Sequence, residues 1–338
     1  MSHDTPFVMP PIMQRAQYAS RGPVPQDVIE CVEFTLPAPA AGEALVQVLA
    51  APINPSDVLT LTGQYGALPP LPAVGGNEGI GRVLAVGDGV TLPVGTRVVL
   101  PLACGTWSSH LLASASALIP LPDEGDAVQL SMLMVNPPTA ALLLSEFVTL
   151  EPGEWVIQNT ANSAVGLYLV QLAKRRGLRT VNVVRRADAI AGVQAAGGDV
   201  VLTDGPDLAT RVAEATNGAK IRLGIDATGG SATERIARSL MVGGTVVNYG
   251  AMSGEACKIA AASFIFRDIT LRGFWLAFWF RNATPEQQRA LYAELVPLVA
   301  HGVLYAPVQR TYPLSAIKDA VIAAATPGRT GKIVLVPE

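Results

Sequence analysis

Cysteine, histidine and charged side chains are all scarce in this sequence. Of 338 residues, three are cysteine, three are histidine and 15% are charged, and the formal net charge is -3. Three widely spaced thiols argue against a disulfide framework and suit a reducing compartment. The sparse, nearly balanced charge lacks the clustered basic surface that a nucleic-acid partner requires, so we expect none.

Long apolar runs are also absent. Gly and Pro interrupt every stretch before it approaches the about 20 residues that a membrane-spanning helix needs, so we expect no membrane segment. The opening residues, MSHDTPFVMPPIMQ, lack the layout of a secretory signal or of an Arg-rich transit peptide. The sequence therefore predicts a mature, cytoplasmic chain, and 50% hydrophobic residues supply a large buried core.

The hydrophobic pattern divides the chain into three segments. Up to residue 122, short runs rich in Val and Leu alternate with Gly and Pro, which indicates β-structure with many turns. Residues 123–283 alternate apolar runs with helical spacing, the βαβ rhythm of a doubly wound parallel sheet. Residues 284–338 return to β-like runs after one helix, so we expect them to complete the first domain. The predicted strands of the middle segment are 155–158, 180–184, 200–202, 223–227 and 245–249.

The helix of the last segment has a clear start signal. Thr284 and Gln287 form a capping-box pattern, and Pro285 suits the first turn. Leu291, Leu295 and Leu298 then share one face, which predicts a helix that ends before Gly302.

A dinucleotide site is expected where the strand ending near Asn159 turns into a helix. In a doubly wound fold this turn holds the pyrophosphate on helix N-terminal amides. Only Gly166 matches the glycine fingerprint, so the pattern alone equally fits a capped turn without a ligand. After the next strand, Arg185 and Arg186 occupy the place of the acidic residue of NAD-binding proteins. Two guanidiniums suit a 2′-phosphate and favour NADPH, the alternative being two solvated arginines.

Short motifs over nearly the whole chain resemble those of the medium-chain dehydrogenase/reductase superfamily: INPSDV (53–58), GGNEGIG (75–81) and GKIVL (331–335). Within it, the chain is most similar to the mitochondrial-type 2-enoyl thioester reductases. The matching motifs are GTW (105–107), NPPTA (136–140), QNTANSAVG (158–166), NVVR (182–185), YGAMS (249–253) and FIFRDITLRGFW (264–275). The resemblance implies an α/β protein with a GroES-like, mostly β catalytic domain and a Rossmann cofactor domain, assembled as a homodimer.

The resemblance also implies an activity, the NADPH-dependent reduction of trans-2-enoyl-CoA or acyl-carrier-protein thioesters. Hydride goes to the β carbon and a proton to the α carbon, while donors stabilise the enolate oxygen. The implied catalytic residues are Tyr65 as proton donor, Trp275 beside the reacting groups, and Asn54, which helps to position Tyr65. The implied cofactor contacts are Asn136, Asn162, Ser163, Ala164, Val165, Gly166, Arg185, Arg186, Tyr249, Gly250, Ala251, Met252, Phe274, Trp275, Leu276 and Lys332.

Two departures from related patterns bear on these expectations. The family pattern Arg-Asp-Arg is replaced by Arg185-Arg186-Ala187, and this change is expected to alter how the 2′-phosphate is bound. Where zinc alcohol dehydrogenases have Gly-His-Glu, this chain has Gly76-Asn77-Glu78, and an amide is a poor zinc ligand. The three histidines stand in unrelated contexts, so the sequence predicts a metal-free enzyme. They are His3, His110 and His301.

Several alternatives remain open at this level. The zinc-free quinone oxidoreductases of the same superfamily are a second enzyme class, and a non-catalytic NADPH-binding protein is a third reading. Tyr65, between two glycines, also fits an exposed turn, and residues 54–57 fit a plain turn. An aromatic cluster fits an acyl pocket, a subunit interface or ordinary core packing. Its members are Phe274, Trp275, Phe278, Trp279 and Phe280.

Overall fold

The computed structural model describes residues 12–337. Its strands are β1 (Met13–Tyr18), β2 (Ile29–Phe34), β3 (Glu43–Ile53), β4 (Ala73–Val74), β5 (Ile80–Val86), β6 (Arg97–Val99), β7 (His110–Ser114), β8 (Ile119–Pro120), β9 (Trp155–Gln158), β10 (Arg179–Val184), β11 (Val200–Thr203), β12 (Leu223–Asp226), β13 (Thr245–Asn248), β14 (Thr270–Gly273), β15 (Val308–Tyr312) and β16 (Lys332–Leu335). Its α-helices are α1 (Pro55–Thr62), α2 (Ala127–Leu130), α3 (Asn136–Leu143), α4 (Ala164–Arg175), α5 (Ile190–Ala195), α6 (Leu208–Ala215), α7 (Ser231–Ser239), α8 (Ala261–Arg267), α9 (Leu276–Asn282), α10 (Pro285–Ala300) and α11 (Ile317–Ala325).

The described chain divides into two compact units. One contains residues 12–135 and 293–337, and the other contains residues 136–292. The domain limits expected from the sequence, after residues 122 and 283, stay predictions beside this division. Within the described ranges, no helix is both long and apolar enough to cross a membrane.

The first unit is built on β-sheets. Its larger sheet has the order β15-β16-β3-β5-β6-β8, and β7 pairs with β3 as well. The C-terminal strand β16 runs antiparallel to β3, where Ile333 lies opposite Ile53. Valines and leucines of β3, β5 and β7 meet across the sheet, for example Val46 opposite Val83 and Leu111. These side chains are buried and form the core of the unit.

The second unit is an open parallel sheet of six strands in the order β11-β10-β9-β12-β13-β14. All residues of β9 and β12 are buried, as expected for central strands covered on both faces. The chain order reverses beside β9, between β10 and β12, which is where doubly wound folds bind their ligands. The α/β fold class predicted from the sequence, with a GroES-like and a Rossmann part, is confirmed.

The capping-box prediction for α10 matches the structure. The backbone N–H of Thr284 donates to Gln287 Oε1 at 2.8 Å, and the N–H of Gln287 donates to Thr284 Oγ1 at 3.3 Å. Leu291 and Leu295 of the predicted face are buried, while Leu298 is half-buried.

Candidate functional site

Three predicted groups of cofactor residues follow strands of the parallel sheet in the second unit. Residues 162–166 follow β9, residues 185–186 follow β10, and residues 249–252 follow β13. Because the sheet is parallel, the carboxyl ends of these strands lie at one edge. The fold therefore brings together at this edge residues that are far apart in the sequence.

The turn between β9 and α4 is closely packed without a glycine-rich loop. Ser163 Oγ caps α4 by accepting the backbone N–H of Gly166 at 3.1 Å. A Cβ on Gly166 would lie 2.5 Å from the carbonyl oxygen of Ala161, so this position requires glycine. The remaining N-terminal amides of the 12-residue helix suit the pyrophosphate of a dinucleotide.

Arg185 and Arg186 are both exposed at the carboxyl end of β10. Arg186 Nε lies 3.1 Å from Asp188 Oδ1, whereas Arg185 has no ion-pair partner within residues 12–337. Two accessible guanidiniums in this position suit a 2′-phosphate. The edge of the sheet thus fits NADPH at both its pyrophosphate and its adenosine end.

Tyr249 and the three residues after it extend the same edge. The hydroxyl of Tyr249 hydrogen-bonds to Ser163, and burial raises the pKa of Tyr249. A Cβ on Gly250 would lie 2.8 Å from the carbonyl oxygen of Ala227, so the turns after β12 and β13 pack closely. Ala251 and Met252 are exposed.

Sequence reasoning missed Asp226, a fully buried carboxylate at the end of β12. Its Oδ1 accepts from Asn159 Nδ2 at 2.6 Å, and its Oδ2 accepts from Thr233 Oγ1 at 2.7 Å and Asn248 Nδ2 at 3.1 Å. The side chain thereby ties the end of β12 to the turn after β9, to the end of β13 and to α7. An acidic residue that ends an apolar strand was the available signal.

Phe274, Trp275 and Leu276 lead into α9. Trp275 is 38% exposed and Phe278 is 62% exposed, so ordinary core packing does not describe these two rings. The guanidinium of Arg281 lies 4.8 Å from the ring centroid of Trp275 and 5.9 Å from that of Phe278. The aromatic surface is therefore accessible and carries a positive charge. Asn136, the remaining predicted contact of this unit, is buried at the start of α3.

Tyr65 follows α1 in the first unit. Gly63, with φ of +76°, ends the helix, and the N–H of Tyr65 then donates to the carbonyl of Leu59 at 3.2 Å. The side chain of Tyr65 is half-buried. Residues 54–57, which also fitted a plain turn, form the cap and first turn of this helix.

Four buried polar side chains of the first unit form a cluster around the start of α1. The N–H of Asn54 donates to Asp57 Oδ2 at 2.7 Å, and Asn54 Nδ2 donates to Glu78 Oε1 at 2.7 Å. Lys332 Nζ donates to Asn54 Oδ1 at 2.5 Å. All four are at most 6% exposed. Lys332, a predicted cofactor contact, thus lies against Asn54, a predicted catalytic residue.

Charge and burial oppose each other in this polar cluster. Burial raises the pKa of Asp57 to about 7, although hydrogen bonds from backbone amides and the charge of Lys332 act in the other direction. Burial likewise raises the pKa of Glu78 and lowers the pKa of Lys332, and their mutual attraction offsets part of both shifts. The charged form of each of these buried groups is therefore stabilised by its neighbours.

The segment that carries Glu78 is packed against the GTW motif. The N–H of Trp107 donates to the carbonyl of Gly75 at 2.9 Å, and Thr106 Oγ1 donates to the carbonyl of Glu78 at 2.7 Å. A Cβ on Gly75 would lie 2.2 Å from the Trp107 ring, and Gly76 has φ of +99°. Two motifs that are separate in the sequence thus form one support for the polar cluster.

The expected absence of zinc stays a prediction. Asn77 is half-buried, and its Nδ2 donates to Ser56 Oγ at 3.4 Å. In the part of the chain that the structure describes, no group of three or more His, Cys, Asp or Glu side chains could hold a metal ion. His110 and His301 belong to separate segments, and His3 lies outside the described residues.

Two family models match the chain. The alcohol dehydrogenase GroES-like domain matches residues 40–123, and the zinc-binding dehydrogenase model matches residues 164–293. The mitochondrial enoyl-acyl-carrier-protein reductase of Rattus norvegicus is 38% identical over 331 residues, which are 95% of this chain and 88% of the relative. That of Homo sapiens is 38% identical over 321 residues, covering 92% and 85%.

Solved structures of similar proteins cover 96% of the chain. The complex of Etr1p with NADP and crotonyl-CoA has a TM-score of 0.87 at 27% identity, over 99% of that chain. The mitochondrial 2-enoyl thioester reductase Etr1p/Etr2p heterodimer from Candida tropicalis gives the same values. A mycobacterial quinone oxidoreductase has a TM-score of 0.83 at 29% identity, over 100% of that chain.

These names correct one expectation. The cytoplasmic location predicted from the opening residues is wrong, because the rat and human relatives are both named mitochondrial enzymes. The similarity in sequence and fold extends over nearly the whole chain and over most of each relative. The chain therefore belongs to the enoyl-acyl-carrier-protein reductase family, within the medium-chain dehydrogenase/reductase superfamily.

Proposed function

We propose that this chain uses NADPH to reduce the carbon–carbon double bond of 2-enoyl thioesters carried by CoA or acyl-carrier protein. The observation that carries the proposal is the convergence of three family motifs at the carboxyl edge of one parallel sheet, after β9, β10 and β13. The names of the rat and human relatives, and the NADP and crotonyl-CoA of the Etr1p complex, support the same cofactor and substrate class.

The cofactor and the protein have separate tasks in this reaction. When bound, NADPH supplies the hydride that adds to the β carbon of the enoyl group. The protein holds the substrate, stabilises the negative charge on the thioester oxygen and delivers a proton to the α carbon. We assign the proton delivery to the hydroxyl of Tyr65, since a phenol carries an O–H group that can donate a proton. Trp275 is assigned to orient the substrate.

The proposed cofactor contacts are the residues named in the sequence analysis. The capped turn at Ser163 and Gly166 supports a pyrophosphate there, and exposed Arg185 and Arg186 support a 2′-phosphate. We propose the domain boundaries expected from the sequence. Residues 1–122 and 284–338 form the catalytic domain, and residues 123–283 form the cofactor domain.

Replacing the proton donor tests the proposed chemistry. We expect Tyr65→Phe to lower the turnover of crotonyl-CoA and longer 2-enoyl-CoAs about 10²- to 10⁴-fold, the range for a lost general acid. Quinone reduction needs no acid poised for carbon protonation, so any quinone turnover stays nearly unchanged. NADPH oxidation with a graded series of 2-enoyl-CoAs, run beside NADH and a quinone, measures both effects.

Tyr312→Phe is the matched control, because Tyr312 is another half-buried tyrosine of the first unit. Unchanged crotonyl-CoA turnover in Tyr65→Phe would remove Tyr65 from the acid role. Activity of the natural sequence with quinones alone would favour the second candidate, a zinc-free quinone oxidoreductase, which the mycobacterial neighbour supports. NADPH binding without turnover of any substrate would favour the third alternative, a non-catalytic NADPH-binding protein.

We further propose a homodimer that forms through the cofactor unit. Among the described residues, β14 pairs with β13 alone and ends the sheet, so its outer edge offers backbone groups to a second chain. The neighbouring helix α8 exposes apolar side chains, with Ile265 69% and Phe266 79% exposed. The heterodimer of Etr1p and Etr2p supports association of two chains of this kind.

A further inference from the structure

Glu78 has no part in the chemistry proposed so far, yet it lies fully buried in the polar cluster at the start of α1. Its Oε1 accepts from Asn54 Nδ2 at 2.7 Å, and its Oε2 accepts from the backbone N–H of Val135 at 2.8 Å. Burying a carboxylate is strongly unfavourable unless hydrogen-bond partners of this kind compensate it. Glu78 therefore joins two other segments of the first unit through its two oxygens.

The Asn54 amide lies between two groups of opposite and fixed polarity. An ionised carboxylate only accepts hydrogen bonds, and an ammonium only donates them. Asn54 must therefore turn its nitrogen to Glu78 and its oxygen to Lys332, whose Nζ is 2.5 Å away. Turning the amide over would place its NH2 group against the Lys332 ammonium and its oxygen against the Glu78 carboxylate, and unpaired buried groups of this kind destabilise that orientation.

Lys332 is buried as well, and its charge is balanced locally. Burial and the nearby charge of Arg329 disfavour its ammonium, while the carboxylates of Glu78 and Asp57 favour it. The position of Lys332 is thus set by a series of contacts that begins at Glu78 and passes through Asn54. The side chains that make these contacts are all buried, so solvent does not replace any of them.

We propose that Glu78 is a positioning residue for NADPH-dependent reduction, which fixes the Asn54 amide and, through it, the Lys332 ammonium. The inference rests on the proposed function, because Lys332 is one of the proposed NADPH contacts. It assigns Asn54 to the positioning of Lys332, whereas the family resemblance implied that Asn54 positions Tyr65. The three side chains then act as one unit.

The first test removes the carboxylate and keeps its shape. In Glu78→Gln, one amide oxygen remains for the two donors, Asn54 Nδ2 and the Val135 N–H. We expect NADPH binding, followed by fluorescence titration, to weaken about 10- to 100-fold, with a loss of similar size in kcat/KM for crotonyl-CoA. Binding at the natural affinity would overturn the proposal.

The second test moves the carboxylate by one position in the series of hydrogen bonds. In the double variant Glu78→Gln with Asn54→Asp, the new amide at position 78 can accept from Val135 through its oxygen and donate to residue 54 through its nitrogen. The new carboxylate at position 54 can accept from Lys332, so these three bonds and the net charge are retained, and only the bond between positions 78 and 54 reverses its direction. We expect the double variant to regain NADPH affinity and kcat/KM to within about 5-fold of the natural sequence, since coupled partners are non-additive. A double variant no better than Glu78→Gln would contradict the positioning role.

Thr106→Val is the matched control. It removes a buried hydrogen bond to the backbone carbonyl of Glu78 and leaves the carboxylate in place. We expect lower thermal stability with NADPH affinity retained, and an affinity loss equal to that of Glu78→Gln would reduce Glu78 to a structural role. If the natural sequence reduced no 2-enoyl-CoA, the proposed function would be wrong. The positioning of Lys332 would still be tested, because it is measured by NADPH affinity.

Discussion

At the scale of single residues, we propose that Arg185 and Arg186 decide the choice between NADPH and NADH. Both are exposed after β10, and Arg185 has no ion-pair partner in the described part of the chain. The sequence alone left open whether the two were simply solvated. Their place at the ligand-binding edge of a parallel sheet favours the phosphate interpretation.

The double variant Arg185→Ala with Arg186→Ala tests this interpretation. We expect the KM for NADPH to rise about 10- to 100-fold, because charge-assisted hydrogen bonds to the phosphate contribute about 1.5–3 kcal/mol. The KM for NADH changes little, since NADH lacks the 2′-phosphate. Steady-state kinetics with both cofactors measures the difference. Arg175→Ala, an exposed arginine of the same unit, is the control, and an equal loss for both cofactors would contradict the assignment.

At the scale of elements, the turn from β9 into α4 shows how little of a glycine fingerprint the fold needs. Ser163 supplies the cap, and Gly166 alone lies where a side chain would meet backbone. The missing glycines made the sequence signal weak, because it equally fitted a turn without a ligand. The packing of α4 on Ala161 explains why the glycine at position 166 is the one present.

Gly166→Ala is expected to lower the free energy of unfolding by about 1–3 kcal/mol, because its Cβ would lie 2.5 Å from a backbone oxygen. NADPH binding should weaken with it, since the amides of α4 shift. Urea denaturation and cofactor titration measure the two effects. Gly192→Ala in α5 is the control, because its Cβ would meet nothing within 4 Å, and it should gain about 0.4–1 kcal/mol. Equal stability of the two variants would refute the packing argument.

At the scale of the whole molecule, the outer edge of β14 and the exposed apolar side chains of α8 are the surfaces proposed to meet a second copy. Strand edges associate readily, and exposed apolar patches mark interfaces. Ile265 and Phe266 are the residues through which we expect two copies to meet.

The double variant Ile265→Glu with Phe266→Glu should weaken the dimer at least about 10-fold, since each buried apolar contact at an interface contributes about 1 kcal/mol or more. Sedimentation equilibrium over a range of concentrations measures the dissociation. Val94→Glu, which changes a 60% exposed valine of the first unit, should leave the association unchanged. A natural chain that stays monomeric would remove the homodimer.

Local interactions made much of the fold predictable. The apolar run at 155–158 coincides with β9, because alternating βαβ units leave short buried strands between turns. The capping box of α10 formed as its residue types required. The prediction of a cytoplasmic location was wrong, because the layout of the opening residues did not indicate the mitochondrial compartment that the relatives' names give.

What the sequence by itself determined is the order of elements, the fold class and the residue types at each strand end, since these follow from local periodicity and capping. Only the tertiary structure decided which side chains meet. Asn54 and Lys332 are 278 residues apart, and Asp226 binds Asn159 across 67 residues. Buried polar groups find their partners through the pairing of strands, and no local pattern encodes that pairing. The polar cluster at the start of α1 is therefore a product of the fold.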